Sequence, residues 1–178
     1  MAVTRSMARH GRWCSNVSMA DRSEDLQRPA ETTSDSGVGS RKEPEPIELL
    51  IGGLRFGVTF REVGAAPGAT LRVVAPVHDD WKEVLRFDDF VDAPHFHAPA
   101  DGDSIRFDPA NGEPLEWYLA QIRDHLDYWL ATAGYPQVAQ AVDHDAIAAD
   151  IDRLRNAMYD CVPSGFERVP GVGLRRSP

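Results

Sequence analysis

The sequence predicts an α+β domain: an antiparallel sheet of about five or six strands, followed by one long and one or two shorter C-terminal helices packed on one face. Three observations predict it. Between Ile47 and Asp108 apolar residues recur at every second position in short runs broken by turn residues. From Pro114 onward they recur at helical spacing instead. Strands therefore come first and helices last, the order expected when helices cover one face of an antiparallel sheet.

Residues 1–45 read as a disordered N-terminal leader. From Asp21 to Pro46 the chain is mostly Ser, Thr, Asp, Glu, Arg, Gly and Pro, with no period of two or 3.6. Such a stretch cannot bury enough apolar surface to offset its ordering entropy. The domain is expected over 46–163.

Its first strands are IELLI (47–51) and LRFGVTFREV (54–63), joined at Gly52-Gly53. A Gly-Gly pair suits a tight hairpin because both central positions need positive φ. Leu54, Phe56, Val58 and Phe60 alternate with polar residues, which gives one buried and one wet face. GAAPGA (64–69) reads as a loop and TLRVVAPV (70–77) as a third strand. Trp81 to Phe90 reads as a fourth, with Trp81, Leu85 and Phe87 inward, and Lys82, Val84, Arg86 and Asp88 outward. His95–Ala98 and Ser104–Asp108 follow as short strands, the latter with Ile105 and Phe107 inward.

Pro114 fits a first helical turn, and Glu113 and Glu116 suit its positive end. Leu115, Tyr118, Leu119, Ile122, Leu126, Trp129 and Leu130 form one apolar stripe. Gly134 followed by Tyr135-Pro136 ends it. Trp117 falls off the stripe and reads as a partner-facing residue; His125, at the stripe's edge, reads as partly buried. A short turn over 136–142 leads to a last helix capped by Asp143, with Ile147, Ile151, Leu154 and Met158 inward. Residues 164–178 read as a flexible tail.

The chain carries a net charge of −9. It is unevenly spread: residues 46–163 hold twenty acidic and nine basic residues. An acidic domain repels a phosphate backbone, and no basic patch is legible along the chain, so nucleic acid is not an expected partner. No run of about 18 apolar residues appears, so no membrane-spanning helix is expected. The two cysteines, Cys14 and Cys161, have neither zinc spacing nor a disulfide framework, which points to a reducing cytoplasm. The scarcity of Lys against Arg fits a GC-rich bacterial genome. Phosphate-cradling Gly-rich loops and Gly-x-Ser-x-Gly elbows are absent, so kinase, dinucleotide and classical hydrolase readings have no support, and no cofactor-binding residues are expected.

The candidate chemistry lies between Arg86 and Pro109. His95 and His97 are two apart, so on a strand both project to one face. Two imidazoles with a carboxylate can hold a divalent metal and leave positions open; Asp88 and Asp101 are the candidate carboxylates, with Asp92 a third. His95, His97 and Asp88 are also the candidate catalytic residues, because two imidazoles can serve as acid and base. The bland reading is a solvated strand face with local His–Asp hydrogen bonds. A cupin, which also uses His-x-His with an acid four residues on, is excluded by the absent glycine, the absent second motif and the helical C-terminal half.

At RFDDFVDAPHFHAP (86–99), IRFDP (105–109), EPLEWYLAQIRDHL (113–126) and AGYP (133–136) the chain resembles an uncharacterised bacterial family, a domain of unknown function. The resemblance spans about residues 47–160 and implies no established activity. A fainter likeness is to TumE-type toxins, carried by Ala93-Pro94-His95 after Asp92; the later histidine cluster of that group has no counterpart here.

Two functional readings result. The first, and preferred, is a non-enzymatic binding or interaction module of the bacterial cytoplasm, with an unidentified protein partner. The second is a metal-dependent or general acid–base hydrolase, in the form of a nuclease-like toxin, using the face of His95, His97 and Asp88.

Overall fold

The computed structural model describes residues 45–63, 66–169 and 173–178. The expected leader therefore lies outside the described residues, except for Glu45. Six strands form one antiparallel meander in chain order: β1 (Ile47–Ile51), β2 (Leu54–Val63), β3 (Ala66–Val77), β4 (Asp80–Phe90), β5 (His95–His97) and β6 (Ser104–Arg106). Four helices follow, α1 (Pro114–Thr132), α2 (Pro136–Ala141), α3 (His144–Ala149) and α4 (Ile151–Asp160), and then the two-stranded β7 (Phe166–Val169) and β8 (Gly173–Arg176). The predicted α+β architecture is the one observed.

One face of the sheet is the core. Leu54, Phe56, Val58 and Phe60 of β2 and Ala69, Leu71, Val73 and Ala75 of β3 meet the α1 stripe of Leu115, Tyr118, Leu119, Ile122, Leu126 and Leu130. Ile147, Leu154 and Met158 extend that layer from α3 and α4. At the β1–β2 turn, Gly52 has φ +59°, and a Cβ there would stand 2.7 Å from the Asp143 carbonyl oxygen. The missing side chain lets the turn pack directly on the start of α3, where the Asp143 N–H donates to the Gly52 carbonyl at 3.1 Å.

Several local expectations need correction. β3 begins at Ala66, so the loop expected over 64–69 is mostly strand. In β4 the register slips between Val73 and Val74, because Val73 faces Leu85 while Val74 faces Glu83. Val84 is the extra residue of this bulge, and it is fully buried beside Leu85. The bulge reverses the facing of the strand's first half: Trp81 lies outside, stacked on the Arg55 guanidinium, and Lys82 turns to the helix side over the Tyr135 ring. Ile105, expected inward, is 42% exposed because β6 is an edge strand beyond the reach of the helices. His125 is exposed, at a non-helical φ/ψ inside α1. The last helix breaks at Asp150 into α3 and α4.

Within the segment 164–178, expected to be a flexible tail, Phe166–Val169 and Gly173–Arg176 instead pair as the antiparallel strands β7 and β8. Phe166 and Leu174 are buried, and the Phe166 ring packs on Phe60 at 5.0 Å. Arg168 of β7 forms a buried ion pair with Asp89 and lies 3.8 Å from Glu113. Gly, Pro and Arg residues hide this in the sequence, because among the described residues of the segment the buried apolar side chains are Phe166 and Leu174. Among the described residues no helix is long and apolar enough to cross a membrane.

Candidate metal centre

The outer face of the sheet is a grid set by register. One row runs Thr59, Thr70, Asp88, His95, Arg106 across β2 to β6. The next row, two residues along each strand, runs Gly57, Arg72, Arg86, His97, Ser104. Directly paired residues on one face have Cβ atoms about 4.5–5.5 Å apart. Asp88 thus sits beside His95 and diagonal to His97, and the meander alone brings the three together.

Their ligand atoms all lie within 4.8 Å of one another. His95 Nε2 is 3.4 Å and His97 Nε2 3.6 Å from Asp88 Oδ2. Three ligands about 2.1 Å from a tetrahedral ion would be about 3.4 Å apart. The carboxylate is 2% exposed although it is on the outer face, because arginine and histidine side chains roof it. Thr70 Oγ1 donates to Oδ1 at 2.6 Å, Arg86 Nε to Oδ2 at 3.1 Å and Arg61 Nη2 to Oδ1 at 3.4 Å. These donors compensate its charge and fix its plane, as partners of a metal-ligating carboxylate do.

The histidine ring orientations follow from backbone acceptors. His95 Nδ1 is 2.8 Å from the Ala93 carbonyl oxygen, and His97 Nδ1 is 2.9 Å from that of Gly102. A carbonyl only accepts, so each Nδ1 carries a proton and, in the neutral ring, each Nε2 presents its lone pair towards Asp88. His97 Nε2 is buried with no hydrogen-bond partner. Carbonyl-anchored Nδ1 with a free Nε2 is the usual disposition of a metal-ligating imidazole.

The site is supported from behind by α1. The Tyr118 hydroxyl, on the core side, donates to the backbone carbonyls of His95 at 3.2 Å and Asp88 at 3.4 Å. Burial, and then the nearby carboxylates of Asp89 and Asp88, push its pKa far above the ordinary phenol range, so it remains a donor. Trp117, expected at a partner-facing surface, is half-buried and packs on Phe96, Phe107 and Tyr118 beneath the same strands.

Of the candidate residues, Asp88, His95 and His97 converge. Asp101 is exposed in the turn after β5 and stands outside the group, as does the exposed Asp92. Thr70, Arg61 and Arg72 are not legible as site residues in the sequence, since only cross-strand register places them around Asp88, and Tyr118 joins them only through the packing of α1 on the sheet.

The fold and site define an α+β domain whose outer sheet face carries a two-histidine, one-carboxylate cluster. The chain belongs to the family described as Domain of unknown function (DUF7700), which it matches over residues 49–158. That match bears out the resemblance to an uncharacterised family; the likeness to TumE-type toxins is not shown. No curated protein and no solved structure matches the chain.

Proposed function

We propose that the domain binds one divalent transition-metal ion through His95 Nε2, His97 Nε2 and Asp88 Oδ2, and acts as a metal-dependent binding module. The observation that carries this reading is the buried, unpartnered Nε2 of His97, aimed at the Asp88 carboxylate while Nδ1 is held by a carbonyl. A buried imidazole nitrogen without a partner costs about 1–3 kcal/mol, which a bound cation would recover. Imidazole and carboxylate together suit zinc, iron, nickel or manganese. Three protein ligands leave coordination positions for an outside ligand, and the partial exposure of His95 opens the site on that side.

A hydrolase is the second reading, favoured by the same open positions: an ion so held can polarise a substrate oxygen or activate water. Metal analysis of the purified full-length chain tests the first reading. One equivalent of metal should co-purify or be taken up in calorimetric titration with zinc, nickel or manganese, and the His95→Ala/His97→Ala variant should lose it. If no metal binds and the thermal midpoint ignores added ions, the proposal falls. Metal-dependent cleavage of a phosphodiester by wild type, absent in the double variant, would establish the hydrolase reading.

A further inference from the structure

Beside the three candidate ligands lies a buried aromatic ring that is not part of the hydrophobic core. Phe90 follows Asp88 by two residues on the same outer face and is 7% exposed. Its partner on β3 is Gly68, where a Cβ would overlap the Phe90 ring and backbone. Gly68 has no positive φ to require glycine; what it provides is room for the ring to lie over β3. There the ring meets the His95 imidazole edge-on, with centroids 5.6 Å apart, and the Arg61 guanidinium stands over it at 5.7 Å. Arg61 Nη2 is also 3.4 Å from Asp88 Oδ1, and His95 Nε2 is 3.4 Å from Oδ2. Asp88, Arg61, Phe90 and His95 thus close a ring of contacts, in which the guanidinium and the imidazole border one opening.

Of the donors around Asp88, Arg61 is the one held least. Thr70 already donates to the same oxygen at 2.6 Å, and the Arg61 side chain is 43% exposed, with no other polar contact among the described residues. Arg86, by contrast, is engaged by both Asp88 and Glu83. On the whole outer face Arg55, Arg61, Arg72, Arg86 and Arg106 stand against Glu48, Glu83 and Asp88. At the cluster itself Asp88 offsets Arg61 and Glu83 offsets Arg86, so the two charges of a bound divalent ion are left uncompensated by these groups.

We propose that the outside ligand of the metal centre is the phosphate group of a small phosphate monoester, with one oxygen on the ion and another on the Arg61 guanidinium. This names the ligand of the metal-binding reading above and rests on it. A dianion matches the two uncompensated charges, whereas a carboxylate offsets one. Guanidinium N–H groups make charge-assisted hydrogen bonds to phosphate oxygens, and Arg61 can turn to them without stranding Asp88, which keeps Thr70 and Arg86.

The full-length chain loaded with cobalt(II) and freed of excess ion tests this, because the visible absorption of cobalt reports its coordination. Inorganic phosphate at about pH 8, where the dianion dominates, should change that absorption saturably. Its affinity should fall about tenfold in Arg61→Gln, the loss of one charge-assisted contact, and stay at the wild-type value in Arg55→Gln. Arg55 lies on the same strand and face about 20 Å away, so the second variant loses the same charge without the contact. Cobalt stoichiometry should be unchanged in both, and acetate should bind more weakly than phosphate. One equivalent of cobalt whose absorption ignores millimolar phosphate overturns the proposal and leaves the metal reading standing. A chain that binds neither cobalt, zinc, nickel nor manganese overturns both. Wild-type phosphate affinity in Arg61→Gln, or equal losses in the two variants, would deny Arg61 its contact and overturn the proposal. Acetate binding more tightly than phosphate would make the ligand a carboxylate, which overturns it as well.

Discussion

At the scale of single residues, a hydrogen bond made on the core side governs geometry on the wet side. The Tyr118 hydroxyl reaches the carbonyls of Asp88 and His95, the two residues that face each other across β4 and β5. β5 has only three residues, so its own ladder pins it weakly. Tyr118→Phe keeps the ring contacts with Phe87 and Phe107 and removes only the donor. Urea denaturation should show a loss of about 1 kcal/mol at unchanged m value. If Tyr118 positions the site, metal affinity should fall in the same variant; a midpoint and an affinity both equal to wild type would show that the hydroxyl does neither.

At the scale of elements, the sequence discloses what repeats and conceals what depends on register. The alternation of Leu54 to Phe60 and the stripe from Leu115 to Leu130 are long enough to show period and direction, and both elements stand where expected. β4 misleads because Val84-Leu85 breaks the alternation, and a bulge that buries both residues is fixed by the partner strand. The candidate site was legible as far as His-x-His, since spacing by two suffices on any strand. Choosing Asp88 over Asp101 requires the length of the Val91–Pro94 turn, which sets which β4 residue faces His95. The arginines at 55, 61, 72, 86 and 106 are scattered in sequence and share a face only through four successive registers. The start of α1 carries a prediction of its own. Glu113 caps this helix by accepting from the Glu116 N–H at 2.8 Å, yet desolvation, its largest influence, raises its pKa despite that hydrogen bond. An acid with a raised folded pKa contributes its stability fully below the unfolded value and loses it as pH rises through the folded one. Glu113→Gln removes that titration while retaining a cap acceptor. The variant's stability relative to wild type should therefore increase as pH rises from the ordinary carboxylate range towards neutrality, measured as the difference in urea midpoints. A difference that is flat with pH would show that the carboxylate carries no burial penalty.

At the scale of the whole molecule, charge and core are arranged against each other. The helix side buries nearly all the apolar side chains, together with one ion-pair cluster, Asp89 with Arg168 and Glu113. Arg168 enters that layer from β7, so the last residues of the chain complete the core electrostatically as well as sterically. The Asp89 and Arg168 side chains are each no more than 3% exposed, and removing one partner of a buried pair costs about 3–5 kcal/mol. Phe166 and Leu174 are buried as well, at about 1.5–3 kcal/mol for each such side chain. The sum is comparable with the entire stability of a typical domain, about 5–15 kcal/mol. A chain ending at Pro163 should then be largely unfolded or held in a loosened state at 25 °C, with reduced near-ultraviolet circular dichroism and an early urea transition. Arg168→Met in the full chain separates the two contributions: it retains the hairpin's apolar packing but strands Asp89, and its midpoint should fall between those of wild type and the truncated form. A truncated chain with the wild-type midpoint would mean that β7 and β8 rest on the core without supporting it. The intermediate midpoint would show instead that an ion pair formed by residues seventy-nine apart closes the domain.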